Sequence, residues 1–271
     1  MTADPTDPIR NVPDGPVPSS EEGRRLLDLV KVMARLRGPG GCPWDREQSH
    51  ETLARHLLEE SHELLEAIEG GDSDAIRDEL GDLLLQVVFH AQMASEDGRW
   101  DVDDVARGLV EKLVHRHPHV FGDVEVSGSD EVLTNWEKLK AEEGSKPRSA
   151  VDEDIPVTLP ALARAAKVQR RAAGWGVQWP SAEAAIASLR DESEHLADAP
   201  DDEAAIGAVL FAAVAAARRL GVDAESALRR TTRGFAERYE VYLADARERG
   251  VDPEAISEEE LRELFLGARS P

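Results

Sequence analysis

The chain has 271 residues, enough for one large or two ordinary domains, and its formal charge of −23 argues against a general binder of nucleic acid or anionic membrane, which would repel it. Aromatic residues are only 4%, Ala, Leu, Glu and Arg dominate, and few runs alternate with period two, so an all-α fold is expected. Cys42 is the single cysteine, which excludes a disulfide framework; with no signal peptide and no apolar run long enough to span a bilayer, a soluble, cytoplasmic protein is expected.

Residues 1 to about 18 are rich in Pro and Asp and poor in large apolar groups, and read as a disordered tail. Ser20 is positioned to cap a helix running to about Arg37, with Leu26, Leu27, Val30, Met33 and Leu36 on its core side. GPGGCPWD ends it. Ser49 caps the next helix, on which Glu59, Glu60, Glu63 and Glu66 share one face while Leu57, Leu64, Leu65 and Ile68 take the other. A Gly-Gly-Asp-Ser turn leads into a further helix from about Asp74 to Ser95. There Leu80, Leu83, Leu84, Leu85, Val87, Val88 and Phe89 wrap most of the circumference, which predicts burial, yet Glu79, Asp82, Gln86 and His90 form a narrow polar stripe. Buried carboxylates require a partner.

Asp101 to Arg116 forms another helix, stopped near Pro118. After the polar stretch GDVEVSGSD, Asp130 is placed to cap a helix carrying Asn135, Trp136, Lys138 and Lys140. GSKPRS, residues 144 to 149, has the composition of a linker. The expected domains are therefore 19–143 and 160–271, with 144–159 between them. The second half carries helices at about 160–173, 181–197, 202–219, 223–248 and 257–267.

This half repeats the plan of the first. RDESEHLADA at 190–199 echoes LEESHELLEA at 58–67, and AIGAVLFAAVAAARRLG at 205–221 echoes ELGDLLLQVVFHAQMAS at 79–95. Anchored on Gly81 and Gly207, Glu79 corresponds to Ala205 and Asp82 to Ala208. The second copy has the helix without the carboxylates, as duplication and divergence of a helical unit would leave it.

Glu60 with Glu63, and Glu79 with Asp82, are i, i+3 pairs on the two arms of one helical hairpin. Four converging carboxylates repel unless cations neutralise them, and an all-oxygen set suits Mg²⁺ or Mn²⁺ rather than zinc. A salt-bridge network is the alternative. A di-iron bundle expects Glu-x-x-His from each of two helices; only Glu192 and His195 make one. Lys112 and Arg116, four apart, lie on one face and can both reach phosphate oxygens. His115, His117 and His119 are interrupted by Pro118 and lack a completing ligand for zinc. Trp136 beside Asn135 can stack on a base and hydrogen-bond a sugar or base edge, or simply anchor a core.

RLRGPGGCPWDREQSHETL, LLEESHELLEAI, DELGDLLLQVVFHAQ, KLVHRHPHVFGD, LTNWEKLKAEE and IPVTLPALARAAKVQRRAAGWGVQWP appear in the order in which they occur in the MazG family of nucleoside triphosphate pyrophosphohydrolases, which the chain resembles from about residue 25 to 180. The resemblance implies an all-α protein of two tandem MazG-type bundles, a homodimer, and cleavage of (deoxy)nucleoside triphosphates between the α and β phosphates in nucleotide-pool cleansing. It implies Mg²⁺ at the EExxE and ExxD motifs, which are Glu59, Glu60 and Glu63, and Glu79 and Asp82. Lys112, Arg116 and Trp136 fall where the family places triphosphate and base contacts. In the second bundle His195 replaces the last Glu, Ala205 and Ala208 replace the ExxD pair, and Gly234 stands in place of a phosphate-binding Lys, although Arg238 matches. That bundle is expected to be degenerate. A carboxylate of the site not fully used by the metal, Glu59 first among them, is the expected acceptor of the attacking water's proton. The rivals are a nucleotide sensor or scaffold without turnover, and a pyrophosphohydrolase specific for dUTP or a phosphoribosyl nucleotide, against which GGCPWD and RHPHVF stand.

Overall fold

The structure, a computed structural model, describes residues 23–122, 124–128, 132, 135, 151–250, 252 and 256–267. The tail, Ser20, Asp130, Trp136 and the linker segment 144–149 lie outside the described residues. The described residues form helices and no strand. Two compact units divide at Ser145 and Lys146.

The first unit contains α1 (Arg24–Arg37), α2 (Pro43–Glu47), α3 (His50–Gly70), α4 (Ser73–Glu96), α5 (Val102–Arg116) and α6 (Pro118–Phe121). Local chemistry sets their ends. After α1 the chain reverses through GPGG, where Gly40 has φ 69° and a Cβ on Gly41 would sit 2.0 Å from the Leu36 carbonyl oxygen, so only glycine fits that approach. Ser49 caps α3 by accepting from the Thr52 amide, and Asp72 and Asp101 cap α4 and α5 in the same way. α3 and α4 are antiparallel neighbours, with α1 and α5 packed on α4. The core is Met33, Leu53, Val88, Phe89 and Met93. Arg37 ties the turn region to this core: it makes a forked ion pair with Glu96 at 2.8–3.1 Å, donates to the Asp45 and Gln48 carbonyls, and lies over the Phe89 ring.

Burial of α4 departs from the sequence expectation. Its C-terminal half is buried, from Gln86 and Val88 to Ala94, because α1 covers it with Met33. In its N-terminal half Leu80, Leu84 and Val87 are exposed, and so are Leu57, Leu65 and Ile68 on α3. Within the first unit α3 is the main neighbour of this half, and one helix cannot cover an apolar surface that extends most of the way around.

The second unit contains α7 (Ala161–Ala173), α8 (Ala182–Asp198), α9 (Glu203–Arg219), α10 (Ala224–Arg249) and α11 (Glu258–Leu266). α8 and α9 form its main hairpin, α7 and α10 pack on α9, and α11 docks on α10. Ser181, Asp202, Asp223 and Ser257 cap α8 to α11. Among the described residues no single helix is long and apolar enough to cross a membrane.

Candidate metal and nucleotide site

The turn between α3 and α4 is only Gly71 and Asp72, with Gly71 in the left-handed region at φ 75°. So short a connection makes the helices antiparallel and sets the acidic residues of one against those of the other. Glu60, Glu79 and Asp82 each offer a carboxylate oxygen, all within 4.8 Å of one another. Glu63 adjoins them, sharing a hydrogen bond with Glu60. Among the described residues no Lys or Arg forms an ion pair with any of the four, so a salt-bridge network has no cation to build on.

Protonation reflects that arrangement. Burial, and then the charges of Asp82, Glu63 and Glu79, push the Glu60 carboxyl above its ordinary value. Burial followed by Glu63, Asp82 and Asp78 does the same for Glu79. Glu60 and Glu79 are only half-buried, and Glu63 and Asp82 are exposed, so the carboxylate end of the stripe is not sunk in the core as the sequence suggested, whereas Gln86 is. A hydrated divalent ion can reach these oxygens.

Glu59 lies apart from the cluster. It is exposed and paired with His56 Nδ1 at 3.1 Å, and the His56 ring meets Trp44 edge-on at 6.2 Å between centroids. Lys112, exposed, and Arg116, partly buried, sit one turn apart on α5, which packs on α4. Asn135 is partly buried. Gln86 is fully buried, and His90 pairs with His50 near Arg99 and Trp100. Sequence reasoning placed His90 on the stripe but missed its partners, which are distant in sequence and follow no spacing rule.

The second hairpin has no comparable cluster among its described residues. Ala205 is buried and Ala208 partly so; Glu192 is half-buried and His195 exposed. Arg238, at the position corresponding to Arg116, donates from Nε to the Leu264 carbonyl at 2.9 Å and from Nη2 to the Phe265 carbonyl at 3.4 Å. It therefore caps the C-terminal end of α11, beside a Phe235–Phe265 ring contact of 4.9 Å. Gly234 makes room for this: a Cβ there would lie 3.0 Å from Arg238 Nη1.

A profile of the MazG nucleotide pyrophosphohydrolase domain matches residues 48–121, the span from the end of α2 through α6. A nucleoside triphosphate pyrophosphohydrolase/pyrophosphatase MazG from Thermotoga maritima is 41% identical over 252 residues, covering 92% of this chain and 97% of that protein. The chain belongs to the MazG family. A nucleoside triphosphate pyrophosphohydrolase of Escherichia coli K12 is 40% identical over 247 residues, 88% of this chain and 94% of the other. One from Mycobacterium tuberculosis is 46% identical over 157 residues, 57% of this chain and 47% of that protein. The MazG profile contains all four clustered carboxylates together with Lys112 and Arg116, and it ends before the second unit.

Proposed function

We propose that this chain is a nucleoside triphosphate pyrophosphohydrolase that splits the bond between the α and β phosphates, releasing nucleoside monophosphate and pyrophosphate, with its chemistry in the first unit. The observation that carries the reading is the convergence of Glu60, Glu63, Glu79 and Asp82 on one hairpin with no ion pair to a Lys or Arg among the described residues. Relatives that cover most of the chain and are named for this activity support it.

The donor set fits a hard divalent cation. It is all oxygen, acidic and open to water, and at Glu60 and Glu79 burial and then the neighbouring carboxylates disfavour the charged form, which a bound cation would favour. Glu60, Glu63, Glu79 and Asp82 would hold Mg²⁺, with Mn²⁺ able to substitute. When bound, such an ion offsets phosphate charge and makes a water molecule more acidic.

The remaining work falls to side chains. Lys112 and Arg116 take the oxygens of the departing pyrophosphate and balance its growing charge. Glu59, the expected proton acceptor, lies apart from the cluster and pairs with His56 Nδ1 at 3.1 Å, so the proton of the attacking water passes instead to a cluster carboxylate that the cation leaves free. Asn135 and Trp136 contact the nucleoside. The exposed apolar face formed by Leu57, Leu65, Ile68, Leu80, Leu84 and Val87 supports a homodimer in which a second copy covers it.

The test is to incubate purified protein with each nucleoside triphosphate, with Mg²⁺ or with EDTA, and to resolve the products. Monophosphate and pyrophosphate in equal amounts, lost in EDTA, are expected. Release of diphosphate and phosphate would assign a different bond. Tight binding without any product would make the chain a nucleotide sensor.

A further inference from the structure

The polar stripe of α4 continues beyond the carboxylates. Gln86 lies four residues past Asp82 and His90 eight, displaced by about 6 and 12 Å along the helix axis. Gln86 is 5% exposed, and its Oε1 is buried with no hydrogen-bond partner. His90 Nε2 is buried and unpartnered as well.

Neighbours fix what His90 offers. Arg99 Nη2 lies 3.1 Å from His50 Nε2, and a guanidinium can only donate. The proton of neutral His50 is therefore on Nδ1, which lies 2.7 Å from His90 Nδ1, with the two ring planes 2° from parallel. His90 Nδ1 accepts that bond, so the His90 proton is on Nε2. Burial and the nearby His50 both favour this neutral ring. The stripe thus presents an unused acceptor on Gln86 and, one turn later, an unused donor on His90.

Leaving buried hydrogen-bonding groups unmade costs stability, and apolar residues at these positions would avoid that cost. Such groups persist where a ligand completes them. On the proposed reading, the carboxylates mark where the reacting phosphates lie, and the nucleoside must extend from them. We infer that Gln86 and His90 are substrate-selecting residues, whose free acceptor and donor engage a group on the nucleoside that both donates and accepts hydrogen bonds. A sugar hydroxyl and a base edge share that chemistry. Asp82, at the carboxylate end of the stripe, is exposed, so the stripe opens to solvent where the phosphates are placed. This inference rests on the triphosphate reading, since it places the nucleoside by the phosphates.

The test uses Gln86→Leu and His90→Phe in the full chain. Binding of an α,β-methylene nucleoside triphosphate and of inorganic tripolyphosphate, each with Mg²⁺, is measured by calorimetry beside the melting temperature. A ribose and deoxyribose pair and a base panel separate the two sources of the group. Gln86→Leu should weaken the nucleotide about tenfold, the loss of one well-made hydrogen bond, leave tripolyphosphate unchanged, and keep or raise the Tm. Parallel weakening of both ligands with a lowered Tm would make Gln86 structural and overturn the inference. Unchanged nucleotide affinity in both variants would do so too. If wild-type protein released no pyrophosphate, the catalytic reading would fail, while these binding differences would still decide the inference.

Discussion

The two hairpins are built on one plan and reach opposite ends. α3 and α4 have 21 and 24 residues joined across two, whereas α8 and α9 have 17 each, joined across residues 199–202. Glu79 lies six residues beyond the start of α4 at Ser73, but its counterpart Ala205 lies two beyond the start of α9 at Glu203. The second hairpin closes about one turn earlier on each arm, and its equivalents of the metal positions sit beside the turn. The first hairpin retains four carboxylates whose repulsion opposes folding. The second replaces two of them with alanine, which forms helix well and buries no charge. The clamp positions diverge likewise: Arg116 remains on α5 near Lys112, while Arg238 has become the cap of α11 with Gly234 giving it space. A hairpin can thus keep its packing when it gives up its charges, so fold alone does not reveal which copy is active.

The sharpest way to break this contrast is to neutralise the first cluster. Glu60→Gln, Glu63→Gln, Glu79→Gln and Asp82→Asn should each lower kcat at least about a hundredfold, since each removes charge from one shared cation site. Steady-state pyrophosphate release at saturating Mg²⁺ checks this, and full activity in Glu79→Gln would end the assignment. Next in size, Arg116→Ala should weaken triphosphate binding by about tenfold or more, with little effect on monophosphate, because a charge-assisted contact to departing phosphates is absent from the product. Equal losses on both would make Arg116 a structural residue.

A smaller effect concerns stability and pH. Glu60 and Glu79 have raised pKa values in the folded state. Between the ordinary carboxylate value and those raised values, the native state binds more protons than the unfolded one. The cluster's contribution to stability is therefore best at low pH and falls as pH rises through the folded pKa values. Metal-free Glu79→Gln should then melt higher than wild type at neutral pH, with the gain shrinking on acidification. Thermal melts in EDTA across pH measure it; a lower Tm for the variant at neutral pH would show that the carboxylates do not repel. The smallest expected effect on turnover lies in the second unit, where Glu192→Ala should leave kcat within about twofold. Arg238→Ala should lower the Tm by loosening α11 while sparing kcat.

Much of this contrast was legible in the sequence because it rests on local signals. Capping by Ser49, the Gly-Gly turn, the i, i+3 acidic pairs and the Ala205 and Ala208 substitutions are readable from spacing and residue type. The exposed flank of α4 was not. Leu80, Leu84 and Val87 look like core in a sequence, and only the number of neighbouring helices decides whether they are covered. Nor could spacing separate Glu59 from Glu60: adjacent residues differ by about 100° around a helix, and that rotation sends Glu59 to His56 and Glu60 into the cluster. The His50 and His90 pair and the Arg238 cap depend on tertiary contacts between distant residues, which leave no periodic trace.

The central claim is that one hairpin of the two holds the cation and the triphosphate. It is tested most directly by calorimetric titration of the full chain with a non-hydrolysable nucleoside triphosphate in saturating Mg²⁺, repeated on Glu79→Gln. One site per chain is expected for wild type, and none of measurable strength for the variant. Two sites per chain, or one that survives Glu79→Gln, would place binding in the second unit and contradict the division between the hairpins.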